Sequence, residues 1–214
     1  VFPFTGGSRF IQNGVLSVRA AGIFGYALLA AVIPAGLWLT GNSASGLLLL
    51  GLAGLFVGWA YSAPPLKLMS RGFGELAVVC GWLIVVAGTD YVQRGAFSTL
   101  PLVAGLPYAL HVANVLFINQ FPDWRADAAC NKRNWVVRLG PQRARWGYPL
   151  ISGIAYAWLF VAGALAALPL SVLLASAAAV PAAGATRRLL ANATSPKELV
   201  PALQATIAAA MLHG

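Results

Sequence analysis

Charged side chains are scarce in this chain. Only 9% of its 214 residues are charged, and Asp and Glu together number five. Hydrophobic residues make up 59% of the sequence, and the mean hydropathy is +0.77. A soluble domain of this length does not need so much apolar surface. The composition therefore excludes an ordinary soluble protein and predicts an integral membrane protein.

The sequence also has few cysteines, and its first residues are not expected to be a signal peptide. Cys80 lies in an apolar run and Cys130 in a polar loop, which argues against a disulfide, and neither has Cys or His neighbours at zinc spacing. The first residues, VFPFTGGSRF, lack the basic and apolar segments of a signal peptide. Because we find no soluble basic domain, the net charge of +9 does not indicate nucleic acid as a partner.

Long apolar runs predict membrane-spanning helices. A helix needs about 20 apolar residues to cross the lipid bilayer, and these runs are too long for barrel strands. Helices also satisfy their own backbone hydrogen bonds in lipid. We therefore predict an all-α, polytopic transmembrane helix bundle in a single domain, residues 1–214. The seven predicted spans are residues 18–40, 46–62, 74–92, 99–120, 146–167, 169–186 and 199–214.

The basic residues separate onto one side of this topology. All of the 14 Lys and Arg residues except Arg94 lie before or at the start of the first span or in alternate connections. The positive-inside rule makes that side cytoplasmic, which predicts a multi-pass protein of the bacterial inner membrane. Two explanations of the net charge remain open. The cations fix topology alone, or some of them also face a polyanionic ligand.

Two of the five carboxylates lie close together in NQFPDWRADAACNKR, residues 119–133. Asn119, Asp123 and Asp127 are four residues apart, so on a helix they would form one polar stripe. Pro122 would either kink the end of the fourth span or start a new short helix. Two carboxylates at this spacing suit Mg²⁺, which proteins hold with one or two carboxylates and substrate phosphates. The alternative is a solvated interfacial helix with Asp–Arg pairs.

Two further stretches on the cytoplasmic side carry cations. YSAPPLKLMSRGFGE, residues 61–75, contains two helix-breaking prolines and places Lys67 and Arg71 four residues apart. A short interfacial segment with two cations is a suitable partner for a diphosphate. TGGSRFIQNGVLS, residues 5–17, is Gly-rich and contains Arg9, a pattern more often found in a turn than in a phosphate cradle. Each stretch could also be a loop whose charges only fix topology.

Together these stretches resemble the UbiA family of intramembrane aromatic prenyltransferases, and most closely its 1,4-dihydroxy-2-naphthoate polyprenyltransferases of menaquinone biosynthesis. GGSRFIQNGVLS is similar to the segment after the family's first aspartate-rich motif. YSAPPLKLMSRGFGE resembles the loop between its fourth and fifth helices, and NQFPDWRADAACNKRNWVVRLG resembles its second aspartate-rich motif. The resemblance implies nine transmembrane helices around a central cavity, of which the seven spans are the third to ninth. It places the first motif upstream of Val1. Because the sequence also stops inside an apolar run, ATIAAAMLHG, we expect the chain to be truncated at both ends.

The resemblance implies Mg²⁺-dependent transfer of a prenyl group from a polyprenyl diphosphate to an aromatic acceptor such as a dihydroxynaphthoate. Asp123 and Asp127 would bind the metal with help from Asn119. Tyr61, also a catalytic candidate, would stabilise the allylic cation or bind phosphate. The expected diphosphate-binding residues are Arg9, Lys67, Arg71, Lys132 and Arg138. The mouth of the active site would face the cytoplasm.

Several residues depart from the family pattern or receive no catalytic role. Asn131 and Asn134 stand where Gly and Thr are expected. Asp90 lies at the far end of the third span, where it could pair with Arg94 four residues on. His111, inside the fourth span, is expected to be a helix–helix hydrogen-bond partner rather than a base.

Two other functions stay open at this point. A membrane transporter could use Asp123 and Asp127 as a gate, although transporters usually place polar groups at the bilayer midplane and here they cluster on one side. A non-catalytic fragment or degenerate homologue is the second alternative, because the first aspartate-rich motif is absent from the sequence.

Overall fold

The chain folds as a set of helices. The computed structural model describes residues 10–43, 45–165 and 167–214, and these ranges contain no strand. The predicted all-α class is therefore confirmed. The α-helices are α1 (Val18–Gly41), α2 (Leu47–Ser62), α3 (Gly74–Arg94), α4 (Leu100–Ala129), α5 (Trp135–Leu139), α6 (Pro141–Ala144), α7 (Gly147–Ala164), α8 (Ala179–Asn192) and α9 (Val200–His213). The connections include 3₁₀ turns at Leu68–Arg71, Leu170–Ala178 and Pro196–Leu199.

Each of the seven predicted apolar segments is mostly helical over its described residues, and several reach the length of a full crossing. Segments long and apolar enough to span a membrane are Val18–Gly41, Gly74–Arg94, Leu100–Ala129, Pro141–Ala164 and Leu170–Asn192. Helices α2 and α9 are shorter, with 16 and 14 residues. At 1.5 Å per residue they extend about 24 and 21 Å, less than the roughly 30 Å of the hydrocarbon core. The long segments identify an integral, multi-pass membrane protein.

The longest helix, α4, lies at the centre of the packing. It contacts α3, α7 and α9. Phe117 and Phe121 of α4 belong to the main hydrophobic cluster, together with Tyr148 of α7 and Leu189 of α8. At the start of α7, a Cβ added to Gly147 would lie 2.6 Å from Cζ of Phe117. Helices α4 and α7 can approach this closely because residue 147 has no side chain.

Buried polar side chains also join α4 to α7. Asn114 Nδ2 donates to the Tyr148 carbonyl oxygen at 3.2 Å and to Ser152 Oγ at 2.8 Å. The Tyr148 hydroxyl accepts from Thr206 Oγ1 of α9 at 3.0 Å. In lipid these bonds satisfy side chains that water cannot reach.

His111 contacts two other helices through its ring. It is buried, and its centroid lies 5.1 Å from that of Tyr156 on α7 and 4.7 Å from that of His213 on α9. Its Nε2 makes no hydrogen bond with the described residues. His111 therefore packs between helices through its ring, and the hydrogen bond predicted for it is not found at Nε2 among the described residues.

Candidate active site at the end of helix α4

The predicted acidic pair lies on one uninterrupted helix. Helix α4 continues through Pro122 to Ala129, which excludes the new short helix. The four-residue spacing therefore places Asn119, Asp123 and Asp127 along one side of α4. Asn119 Oδ1 is buried and has no hydrogen-bond partner among the described residues.

A tight turn ends α4 and folds the chain back toward Asp127. Asn131 adopts a left-handed backbone conformation with a φ of 56°. Its N–H donates to the Ala128 carbonyl oxygen at 3.1 Å, and the N–H of Lys132 donates to the Asp127 carbonyl oxygen at 2.9 Å. This is the Schellman motif, in which the left-handed residue is usually Gly and sometimes Asn. Asn131 thus supplies the conformation for which Gly was expected.

Two side chains that follow this turn bind the Asp127 carboxylate. Lys132 Nζ lies 3.1 Å from Oδ2 and 3.3 Å from Oδ1, and Asn134 Nδ2 donates to Oδ2 at 2.7 Å. Asn134 is buried, and its own Oδ1 accepts from the Val137 N–H at 2.9 Å to cap α5. Asn134 therefore fills the N-cap position that Thr also favours, and its amide also orients Asp127.

Glu75 and Gln120, for which we predicted no role, lie close to the group formed by Asp127, Lys132 and Asn134. Glu75, in the first turn of α3, accepts a hydrogen bond from Gln120 Nε2 of α4. The Glu75 carboxylate also interacts electrostatically with Lys132 and with the Tyr61 hydroxyl. Glu75 is therefore part of the electrostatic surroundings of both Tyr61 and Lys132. The signal available in the sequence was a rare acid at the start of an apolar span, directly after the basic loop.

Beside this group lies a basic pocket of about 340 Å³. It is lined by Lys67, Ser70, Arg71, Cys130, Asn131, Arg133 and Arg138. Arg138 joins the two loops that form it, because its Nε donates to the Arg133 carbonyl oxygen at 2.7 Å and its Nη2 to the Arg71 carbonyl oxygen at 2.9 Å. The Arg133 N–H also donates to the Ser70 carbonyl oxygen at 2.8 Å. The loops after α2 and α4 therefore form one unit.

The structure separates the predicted diphosphate-binding residues into two groups. Lys67, Arg71 and Arg138 meet in the basic pocket, where Arg133 joins them, whereas Lys132 binds Asp127. Arg9 lies outside the described residues. Tyr61 lies apart from the basic pocket and lines an apolar pocket of about 460 Å³ between α2 and α3.

The oxygen donors on α4 fit a hard divalent cation. Two carboxylates and one amide oxygen are ligands that Mg²⁺ accepts, and Asn119 Oδ1 accepts no hydrogen bond from the described part of the chain. Among the described residues no group of three or more His, Cys, Asp or Glu could hold a metal ion. A divalent cation here would need further oxygens, and substrate phosphates commonly supply them to Mg²⁺.

Fold and site together define a multi-pass membrane protein with two carboxylates and a basic pocket at one end of its bundle. Residues 6–206 match the UbiA prenyltransferase family, and the chain belongs to this family of membrane aromatic prenyltransferases. The predicted resemblance is therefore confirmed.

Named relatives cover different shares of the chain. The chain is 30% identical over 201 residues to 1,4-dihydroxy-2-naphthoate octaprenyltransferase of Mycobacterium tuberculosis, covering 92% of this chain and 67% of the relative. It is 32% identical over 133 residues to the protein of the same name from Mycobacterium leprae, covering 62% and 44%. It is 27% identical over 128 residues to the chloroplastic chlorophyll synthase of Arabidopsis thaliana, covering 59% and 33%. No solved structure matches the chain.

Proposed function

We propose that this protein transfers a prenyl group from a polyprenyl diphosphate to an aromatic acceptor, with Mg²⁺ as cofactor. The observation that carries the proposal is the placement of Asp123 and Asp127 on one side of α4, next to the basic pocket. Dihydroxynaphthoate is the acceptor named in the mycobacterial relatives. We infer the same acceptor here, which assigns the reaction to menaquinone biosynthesis.

The diphosphate is the part of the substrate that the α4 site has to neutralise. It is a poor leaving group until its charge is balanced, because breaking the C–O bond places further negative charge on the departing oxygen. Bound Mg²⁺ would act there as a Lewis acid, with Asp123, Asp127 and Asn119 as its protein ligands. In this arrangement the three α4 side chains would fix the position of the diphosphate at the end of α4.

The basic pocket would bind the remaining phosphate oxygens. Arg71 uses Nη2 to bind the Pro65 carbonyl oxygen, and Arg138 uses Nε and Nη2 for the two loop carbonyls. A guanidinium group has five N–H donors, so each of these arginines retains donors for a ligand. Arginine binds phosphate with paired N–H groups, which orients the anion as well as neutralising it.

The apolar pocket between α2 and α3 suits the isoprenoid part of the substrate. Its lining includes Val57, Tyr61, Val78 and Trp82. Apolar walls bind a hydrocarbon chain at about 25 cal/mol per Å² of buried surface, and they exclude water that would quench an allylic cation. The rings of Tyr61 and Trp82 offer cation–π stabilisation to the same cation.

The charge distribution supports a cytoplasmic site. Most cations of the loop between α4 and α7 follow the end of α4 that carries Asp127. Arg94, in contrast, lies in the last turn of α3, at the end of that helix opposite to Glu75. The positive-inside rule then assigns the site to the cytoplasmic face of the inner membrane.

Prenyl transfer by membranes that contain the protein tests this proposal. The membranes receive a polyprenyl diphosphate, Mg²⁺ and dihydroxynaphthoate, and the prenylated product is quantified. We expect Asp123→Ala and Asp127→Ala each to lower the rate roughly 100-fold or more, comparable with the loss of one preorganised electrostatic group.

Asp90→Ala is the matched control for the loss of a carboxylate. Asp90 Oδ1 accepts from Arg94 Nε at 2.7 Å, as predicted, at the other end of α3. This variant should retain the wild-type rate. Wild-type rates in both the Asp123 and the Asp127 variants would contradict the site assignment.

A further inference from the structure

Lys132 lies on the carboxylate that the proposed function assigns to a metal ion. Its ammonium nitrogen is 3.1 Å from Oδ2 of Asp127 and 3.3 Å from Oδ1, so it faces both carboxylate oxygens. A divalent cation that used the same oxygens would have to displace this ammonium, because two cations at that distance repel each other. Lys132 and a metal ion therefore compete for Asp127.

The ammonium group can move while the backbone of Lys132 stays in place. The N–H of Lys132 is fixed by its bond to the Asp127 carbonyl oxygen at 2.9 Å. The side chain is 27% exposed and ends in a flexible four-carbon stem. Rotation about the bonds of this stem is sufficient to carry the charge away from Asp127.

A second acceptor group lies within electrostatic reach of Lys132. The Glu75 carboxylate interacts with the Lys132 charge and is held by Gln120 Nε2. Gln120 is 5% exposed, and its Oε1 has no hydrogen-bond partner among the described residues. Glu75 therefore offers a charged acceptor for a lysine ammonium, and Gln120 Oε1 is a neutral acceptor on the side chain that is bonded to it.

We propose that Lys132 is a tethered cation that neutralises Asp127 in the ligand-free protein and moves to Glu75 and Gln120 when a divalent cation enters with the diphosphate. Lys132 and Glu75 are then positioning residues, and Glu75 acts through Lys132. The proposal rests on the proposed function for the identity of the ligand. The competition at Asp127 is a property of the chain itself and can be measured without any substrate.

Terbium binding measures this competition directly. Tb³⁺ is a hard cation that binds oxygen ligands, and its luminescence is sensitised by nearby tryptophan such as Trp124 or Trp135. In the purified protein we expect Lys132→Met to lower the terbium Kd by about two- to fivefold, the range for losing a partly exposed ion pair. Lys197→Met removes the same charge from an exposed site, and its terbium Kd should stay within about 1.5-fold of the wild-type value.

The Glu75 part of the proposal is tested by non-additivity. Glu75→Gln should weaken terbium binding in the wild-type background, because Lys132 then has no charged alternative to Asp127. In the Lys132→Met background the same change should have less than half that effect, as expected for residues that act through each other. Equal effects in both backgrounds would show that Glu75 acts independently and would overturn this part.

Other outcomes separate this inference from the proposed function. Terbium emission that is unchanged by Asp127→Asn, or a Lys132→Met variant that binds terbium no more tightly than wild type, would overturn the inference while prenyl transfer could still be observed. Tighter terbium binding by Lys132→Met, together with no prenyl transfer by the wild-type protein, would support the competition at Asp127 and refute the proposed function.

Discussion

Replacing Asn134 by alanine removes two hydrogen bonds with a single change. The Asn134 side chain accepts from the Val137 N–H at 2.9 Å and donates to Asp127 Oδ2 at 2.7 Å. The first bond begins α5 and the second holds the carboxylate assigned to the metal. We therefore expect Asn134→Ala to destabilise the loop after α4 more than an ordinary N-cap substitution would.

The magnitude follows from the two bonds. Loss of an N-cap costs about 1 kcal/mol. A hydrogen bond to a charged group contributes about 1.5–3 kcal/mol, and the lower half of that range applies because Asp127 keeps Lys132 and its side chain is 15% exposed. The sum is about 2.5–3.3 kcal/mol for Asn134→Ala. Asn134→Ser keeps an N-cap oxygen but is too short to bridge both groups, so we expect a loss of about 1.5 kcal/mol.

Thermal unfolding of the purified protein in detergent checks these values. For a chain of this size 1 kcal/mol shifts the Tm by about 2–4 °C, so Asn134→Ala should lower it by about 5–13 °C and Asn134→Ser by about half as much. In a double-mutant cycle with Asp127→Asn, the Asn134→Ser loss should shrink, because the partner charge is gone. Unchanged Tm values for both Asn134 variants would refute the idea that this side chain holds the loop.

Two further stability predictions concern residues 147 and 131. Gly147→Ala should destabilise the protein by about 1–3 kcal/mol, because the new Cβ would lie 2.6 Å from Cζ of Phe117. Gly153→Ala is the control, because a Cβ at residue 153 would have nothing within 4 Å. Equal Tm values for the two variants would contradict the packing argument. Asn131→Ala should cost about 1–2 kcal/mol, because alanine is strained in the left-handed conformation, whereas Asn131→Gly should be neutral or stabilising. A destabilised glycine variant would show that the Asn131 side chain, and not its backbone, holds the turn.

The sequence was sufficient for the fold class and for the acidic stripe. Apolar runs longer than a strand allow only helices in lipid, and the spacing of Asn119, Asp123 and Asp127 needs nothing beyond a continuous helix. Continuity through Pro122 could not be predicted, because a proline removes one helical hydrogen bond without dictating whether the surrounding packing keeps the helix intact.

The partners of Asp127 could not be predicted for a different reason. Lys132 and Asn134 reach Asp127 because Asn131 turns the chain back in the left-handed conformation, and an asparagine does not have to adopt it. The basic pocket depends on Arg138 bonds to a loop 67 residues earlier in the chain. The role of Glu75 likewise depends on the register between α3 and α4. Such contacts arise from tertiary packing, which local spacing does not encode.

We propose that the carboxylates of α4 hold a divalent cation that activates a diphosphate. The most direct measurement is the rate of prenyl transfer as Mg²⁺ is titrated into chelator-treated membranes, for the wild-type protein and for Asp127→Asn. We predict no transfer without added metal, recovery with Mg²⁺ in the wild type, and a higher Mg²⁺ requirement with a lower maximal rate in Asp127→Asn. Full transfer in the presence of excess chelator, or identical Mg²⁺ curves for the two proteins, would contradict the claim.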